Sequence, residues 1–209
     1  MPERRSPQVS SRKQPKQARA NGLVAAVLDA AVQVLRAEGA TRFTTARIAE
    51  RAGVSVGSLY QYFPNKAAIL FRLQSDEWRR TSELLRDILT DKSRLPTERM
   101  RTLAHAFLHS ECQEAEVRTA LGDAAPLYRD APEAHAVRTS GSYVIRDFLT
   151  EALPGANARK VALAADLIEA TLTQVGRSFS EAERSEEEIA AYADAMADML
   201  CAYLARLSR

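Results

Sequence analysis

From Gly22 to the end of the chain, large apolar residues recur three and four positions apart, and no segment alternates apolar with polar residues as a half-buried strand does. Val24, Val27, Leu28, Ala31, Val34 and Leu35 make the first such face, and Gly39 stops it. Thr44 or Thr45 caps a second helix with Ile48 and Ala49 on its core side. Gly53 supplies a turn, because a positive φ is inexpensive only for glycine. Ser55 caps a third helix, Val56–Phe63, and Pro64-Asn65 break the chain before a long helix from Lys66 through Ile69, Leu70, Leu73 and Trp78 to about Leu89. Further breaks fall at Pro96, Gly122–Pro126, Pro132, Pro154-Gly155 and Ser180–Ser185. The segments between them carry the same period: Met100/Leu103/Phe107, Val137/Val144/Phe148, Val161/Ile168/Leu172/Val175 and Ile189/Tyr192/Met196/Leu200/Tyr203. Ser185 and Glu188 have the spacing of a capping box at the start of the last helix. These spacings predict an all-α chain of about nine helices, without sheet and without internal repeats.

Charge is divided unevenly along the 209 residues. Residues 1–80 hold 14 Lys/Arg against 6 Asp/Glu, a balance of +8, whereas residues 81–209 hold 15 against 21, a balance of −6. A basic first third on an acidic remainder suits a head that binds nucleic acid and a body that does not. Residues 1–20 carry six Lys/Arg, one Glu and few apolar side chains, too little to offset the entropy of ordering. A flexible basic arm able to lie along phosphates is expected there. No run of about 18 apolar residues suggests a membrane span, and the N-terminus lacks the apolar stretch of a secretory signal. Only Cys112 and Cys201 are present, which suits reduced thiols. A cytoplasmic protein without membrane contact is expected.

Residues 41–66 read as two short helices around a glycine turn, followed by a cationic helix start. Leu59 and Phe63, four apart, face inward with Ile48, Ala49 and Val54 and set the angle between the helices. Val56, Gly57, Ser58 and Gln61 fall on the opposite side. Gly57 and Ser58 are small enough to let the backbone approach base edges, Gln61 can pair twice with adenine, and Val56 can meet a thymine methyl. Tyr60 and Tyr62 flank this face with hydroxyls suited to phosphate. Thr45 and Ser55 stand where free N–H groups attract phosphate, and Lys66 adds a point charge.

The stretch resembles the DNA-binding domain of the TetR/AcrR family of transcriptional regulators. The matching residues are Phe43-Thr44-Thr45, Ile48-Ala49, Ala52-Gly53-Val54-Ser55, Gly57, Leu59-Tyr60, Tyr62-Phe63 and Asn65-Lys66, within about residues 22–75. Two departures matter: Tyr62 stands where histidine is common, and Ala67 replaces a frequent acidic residue. The resemblance implies that position 57 and its neighbours at 56 and 61 look toward bases, while 45, 55, 60, 62 and 66 hold phosphates. It also implies a helical C-terminal domain that dimerises and binds a small molecule. The expected division is an arm at 1–20, a helix-turn-helix domain at 21–66 and a regulatory and dimerisation domain at 67–209.

Two features of the sequence support that body. The last two long helices, about 157–178 and 186–207, are apolar on more than one side. Leu163, Leu167 and Ala170 form a second line beside Ala164/Ile168/Leu172/Val175, and Ala191, Ala195 and Ala202 lie off the main stripe of the final helix. A helix apolar on two sides suits a core plus a second partner, here a homodimer through the last two helices. In such a dimer the recognition helices stand roughly 34–36 Å apart and the double-stranded operator is an inverted repeat.

For the effector, an unknown small molecule, Trp78, His105, His109, Cys112, Tyr128, Tyr143 and Arg146 are candidate pocket residues. His105, His109 and Cys112 fall on one arc of their helix, a spacing that also admits a soft metal and hence a metal- or thiol-responsive sensor. Ala106 stands where a zinc-hydrolase helix needs glutamate. The sequence holds no nucleophile elbow, Gly-rich phosphate loop or recognisable carboxylate pair, so no catalysis and no cofactor are expected. A ligand-independent DNA-binding protein is the remaining alternative to a ligand-relieved repressor.

Overall fold

The computed structural model describes residues 18–128, 131 and 143–208. Among the described residues every regular element is a helix: α1 (Ala18–Glu38), α2 (Thr45–Arg51), α3 (Val56–Tyr60), α4 (Lys66–Leu89), α5 (Pro96–Gln113), α6 (Ala115–Ala124) followed by a 3-10 turn (Ala125–Leu127), α7 (143–152), α8 (Ala158–Ser180) and α9 (Glu186–Leu207). The all-α expectation holds. Most of the arm expected at 1–20 lies outside the described residues, but α1 already begins at Ala18. The segment around Pro132 and Val137 also lies outside them.

Local chemistry explains the helix ends. Gly39 (φ +69°) and Gly53 (φ +65°) adopt the left-handed conformation that side chains disfavour, and there α1 stops and the turn after α2 forms. Thr44 Oγ1 accepts from Arg47 N (3.3 Å), Ser55 Oγ from Ser58 N (3.0 Å) and Asn65 Oδ1 from Ala68 N (2.9 Å), capping α2, α3 and α4 in turn. The Ser185–Glu188 capping box is reciprocal, at 2.9 and 3.2 Å.

The chain divides into two compact units. The first comprises the residues up to Glu77 with the described part of Glu116–Val137; the second comprises Trp78–Ala115 with the described part of Arg138–Arg209. The first unit thus runs beyond the boundary expected at residue 66. Ala67, Ala68, Ile69, Leu70, Phe71 and Leu73 of α4 are buried with Val27, Leu35, Phe43, Ile48, Leu59 and Phe63. Val117, Leu121, Ala124 and Tyr128 join the same core. An ion pair between Arg118 and Glu77 (2.7 Å) and the Tyr128 hydroxyl donating to Leu121 O (2.9 Å) and Gln74 Oε1 (3.1 Å) tie that segment down. Ala20–Glu38 is long and apolar enough, by length and composition, to cross a membrane, yet Val24, Val27, Ala31, Val34 and Leu35 bury its apolar side in this core.

In the second unit α5 packs most extensively on α9 and also on α8. Its core holds Met100, Leu103, Leu108, Phe148, Leu149, Ala164, Ile168, Met196, Ala197 and Leu200. Gly176 marks the tightest approach of α8 to α5: a Cβ there would lie 2.9 Å from Phe107 Cε1 and 3.1 Å from Glu111 Cγ. Arg99, 2% exposed, donates to Leu89 O (2.6 Å) and Glu151 (2.8 Å) and lies over the Phe148 ring.

Candidate nucleic-acid interface

The helix pair α2–α3 is held from beneath by Ile48, Ala49, Leu59 and Phe63, each no more than 1% exposed. Val54 and Tyr62 pack partly against them. Helical order in α3 ends at Tyr60, earlier than the expected Phe63, although Tyr62 N and Phe63 N still donate to Leu59 O. The short helix leaves most of its length on the surface. Val56, Gly57, Tyr60 and Gln61 are exposed, and Ser58 is half-buried.

Gly57 occupies an ordinary helical position, since among the described residues only Gly39 and Gly53 have positive φ. A Cβ at Gly57 would meet only Ser55 Oγ, at 3.8 Å. Neither backbone conformation nor packing therefore requires glycine there. Two hydroxyl pairs brace the same surface: Thr45 Oγ1 and Tyr60 Oη are 3.1 Å apart across α2 and α3, and Ser55 Oγ and Ser58 Oγ are 2.8 Å apart. Arg47 on α2 is paired with Glu38 at the end of α1 (2.9 Å), a contact that sequence spacing alone did not suggest. Lys66 opens α4 as expected and is half-buried.

Residues 27–73 match the family model described as "Bacterial regulatory proteins, tetR family", and residues 95–207 match that described as "Tetracyclin repressor-like, C-terminal domain". The chain belongs to the TetR family. Nucleoid occlusion factor SlmA of Vibrio campbellii is 50% identical over 42 residues, 20% of this chain and 21% of that protein, so the chain matches about a fifth of its length. The fold is similar to the fatty acid degradation regulator FadR of Bacillus halodurans (TM-score 0.68, 20% identity, 90% of this chain and 97% of that one). It is also similar to FadR of Bacillus subtilis, solved in complex with stearoyl-CoA (TM-score 0.63, 20% identity, 85% and 97%).

The seven candidate pocket residues of this TetR-family chain are divided between the two units. Tyr128 belongs to the first unit, where it is 2% exposed and hydrogen-bonded inside the core. The other six belong to the second unit. Tyr143 (56% exposed) and Arg146 lie on its outside, because Val144, Ile145, Phe148 and Leu149 take the inward face of α7. Trp78 is half-buried. His105 Nε2 bonds Asp194 on α9 (3.0 Å), whereas His109 bonds Gln113 (2.7 Å) and faces Glu186 (3.7 Å). Arg101, one turn earlier, pairs with Asp194 and Asp198. The histidines thus belong to a polar seam between α5 and α9. Cys112 is half-buried, and burial pushes its thiol up, which disfavours the reactive thiolate. Among the described residues no group of three or more His, Cys, Asp or Glu can hold a metal ion, which corrects the metal-sensor alternative for His105, His109 and Cys112.

An open groove of about 530 Å³ lies where α8 ends and α9 begins. Phe179 and Tyr192 stack there at 4.1 Å, and the Arg184 guanidinium covers Phe179 at 4.6 Å. None of the seven expected residues lines it.

Proposed function

We propose that this chain is a homodimeric repressor that reads an inverted-repeat operator in double-stranded DNA and leaves it when a small molecule binds. The observation that carries the reading is the exposed surface of α3: a residue sequence of small and polar groups around a glycine the fold does not need, over a fully buried Leu59/Phe63 base. Val56, Gly57, Ser58 and Gln61 face bases in this reading. Thr45, Ser55, Tyr60, Tyr62 and Lys66 hold phosphates. Selection of binding sites from a random DNA pool tests it. The expected product is an inverted repeat whose half-sites are roughly 34–36 Å apart. A pool without an inverted repeat refutes the dimeric reading. Gln61→Ala should change base preference, while Lys66→Ala should weaken all sequences alike and flatten the salt dependence.

The dimer is supported by an apolar surface on the last two helices. Leu163 (66%), Leu167 (50%) and Met199 (51%) are exposed, together with Ala170, Ala191, Ala195 and Ala202. Scattered apolar residues are ordinary, but a line of them along each of the two consecutive helices supports an interaction face. Leu167→Glu should convert the dimer to a monomer in sedimentation velocity without loss of helicity. A variant still dimeric at micromolar concentration refutes this face.

Release follows from linkage: ligand and DNA favour different spacings of the two recognition helices, so each weakens the other by the same factor. The first probe is stearoyl-CoA, the ligand seen with the Bacillus subtilis protein. Loss of operator binding in its presence supports an acyl-CoA effector; unchanged binding directs the search to other chemistry.

A further inference from the structure

The two serines at the start of α3 are hydrogen-bonded hydroxyl to hydroxyl, and either oxygen can be the donor. A hydroxyl carries one hydrogen and two lone pairs. Ser55 Oγ already accepts from Ser58 N (3.0 Å) and stands 2.8 Å from Ser58 Oγ. One of the two hydroxyls must donate to the other, so the pair can present only one outward O–H.

We propose that Ser55 is a positioning residue that fixes Ser58 as a pure hydrogen-bond acceptor toward DNA. This rests on the reading above, in which Ser55 meets the backbone and Ser58 a base. Phosphate oxygens only accept, so Ser55 must turn its proton outward to them. Ser55 Oγ then takes its second inward bond from the Ser58 hydroxyl, using its remaining lone pair. Ser58 is left with lone pairs alone on its open side. In the major groove such a group accepts from the N6 amino of adenine or the N4 amino of cytosine, and it opposes guanine O6/N7 and thymine O4. Ser55 thereby shapes the choice of a base that it does not touch.

The test is site selection from a random DNA pool with the full-length chain and three variants. Wild type should prefer adenine or cytosine at one position per half-site, by about fivefold, the worth of one net hydrogen bond. Ser58→Ala should erase that preference and so locate the position. Ser55→Ala should also erase it, because the freed Ser58 hydroxyl can then donate as well as accept. Ser55→Asn keeps the cap of α3, and its amide oxygen can only accept from Ser58, so adenine or cytosine should return. Retention of the wild-type preference in Ser55→Ala, or guanine or thymine at that position in wild type, overturns the inference. A wild-type pool without any motif overturns the reading of α3 itself.

Discussion

Gly57→Ala separates folding from recognition, because the two should move in opposite directions. In α3 the new methyl group would meet only Ser55 Oγ, at 3.8 Å, an ordinary van der Waals distance, and no positive φ has to be accommodated. Alanine exceeds glycine in helix propensity by about 0.5–1 kcal/mol, so the folded protein should gain up to that amount. At the DNA surface the same methyl occupies space that the proposed complex gives to a base edge. Overpacking of a close interface costs roughly 1–3 kcal/mol, or about five- to 150-fold in affinity. Urea denaturation followed by circular dichroism measures the first quantity. Fluorescence anisotropy with the selected operator, at one fixed salt concentration, measures the second. Loss of stability would show that glycine serves the fold. Unchanged affinity in a folded variant would show that the backbone at residue 57 does not approach DNA closely.

The Thr45–Tyr60 hydroxyl pair should behave as one unit on DNA: Thr45→Val and Tyr60→Phe are each expected to weaken operator binding, with the double variant falling short of the sum by about 0.5–1 kcal/mol. Strict additivity in anisotropy titrations refutes that coupling. Gly176→Ala would place a methyl 2.9 Å from Phe107 Cε1 and should destabilise the second unit by roughly 1–3 kcal/mol in urea denaturation; unchanged stability refutes the tight approach. Arg99 beside Glu151 holds that carboxyl below its ordinary range of about 4.5. The pair therefore contributes stability above the ordinary carboxylate value and loses it as pH falls through the depressed one. Glu151→Gln should be less stable than wild type at neutral pH, and the difference should close on acidification; a gap that widens refutes the assignment.

Local chemistry made the α2–α3 pair and several helix ends readable in sequence. Gly39 and Gly53 need positive φ, Ser55 and Ser185 cap through neighbours three residues on, and Leu59/Phe63 are close enough in sequence to show their common face. The boundaries of α4 and α9 follow from the same short-range signals. Pairings across long sequence separations were not legible. Tyr128 is drawn into the first core by Gln74, 54 residues away. His105 meets Asp194, 89 residues away, and no spacing within α5 reveals a carboxylate on α9. Arg146 is different, because its exposure could be read locally: the 144/145/148/149 pattern already turns residues 143 and 146 outward.

Only Leu59 is buried among the five residues of α3. The core therefore places little demand on the remaining positions, and the surface proposed to meet DNA is largely separate from the side chains that keep the unit folded. If the proposed base-facing role holds, a lineage carrying this scaffold can drift to new operators through Val56, Gly57, Ser58 and Gln61 while the buried Ile48, Leu59 and Phe63 stay unchanged. The same freedom makes α3 a natural place to redirect the protein by design, with stability held constant while binding vocabulary changes.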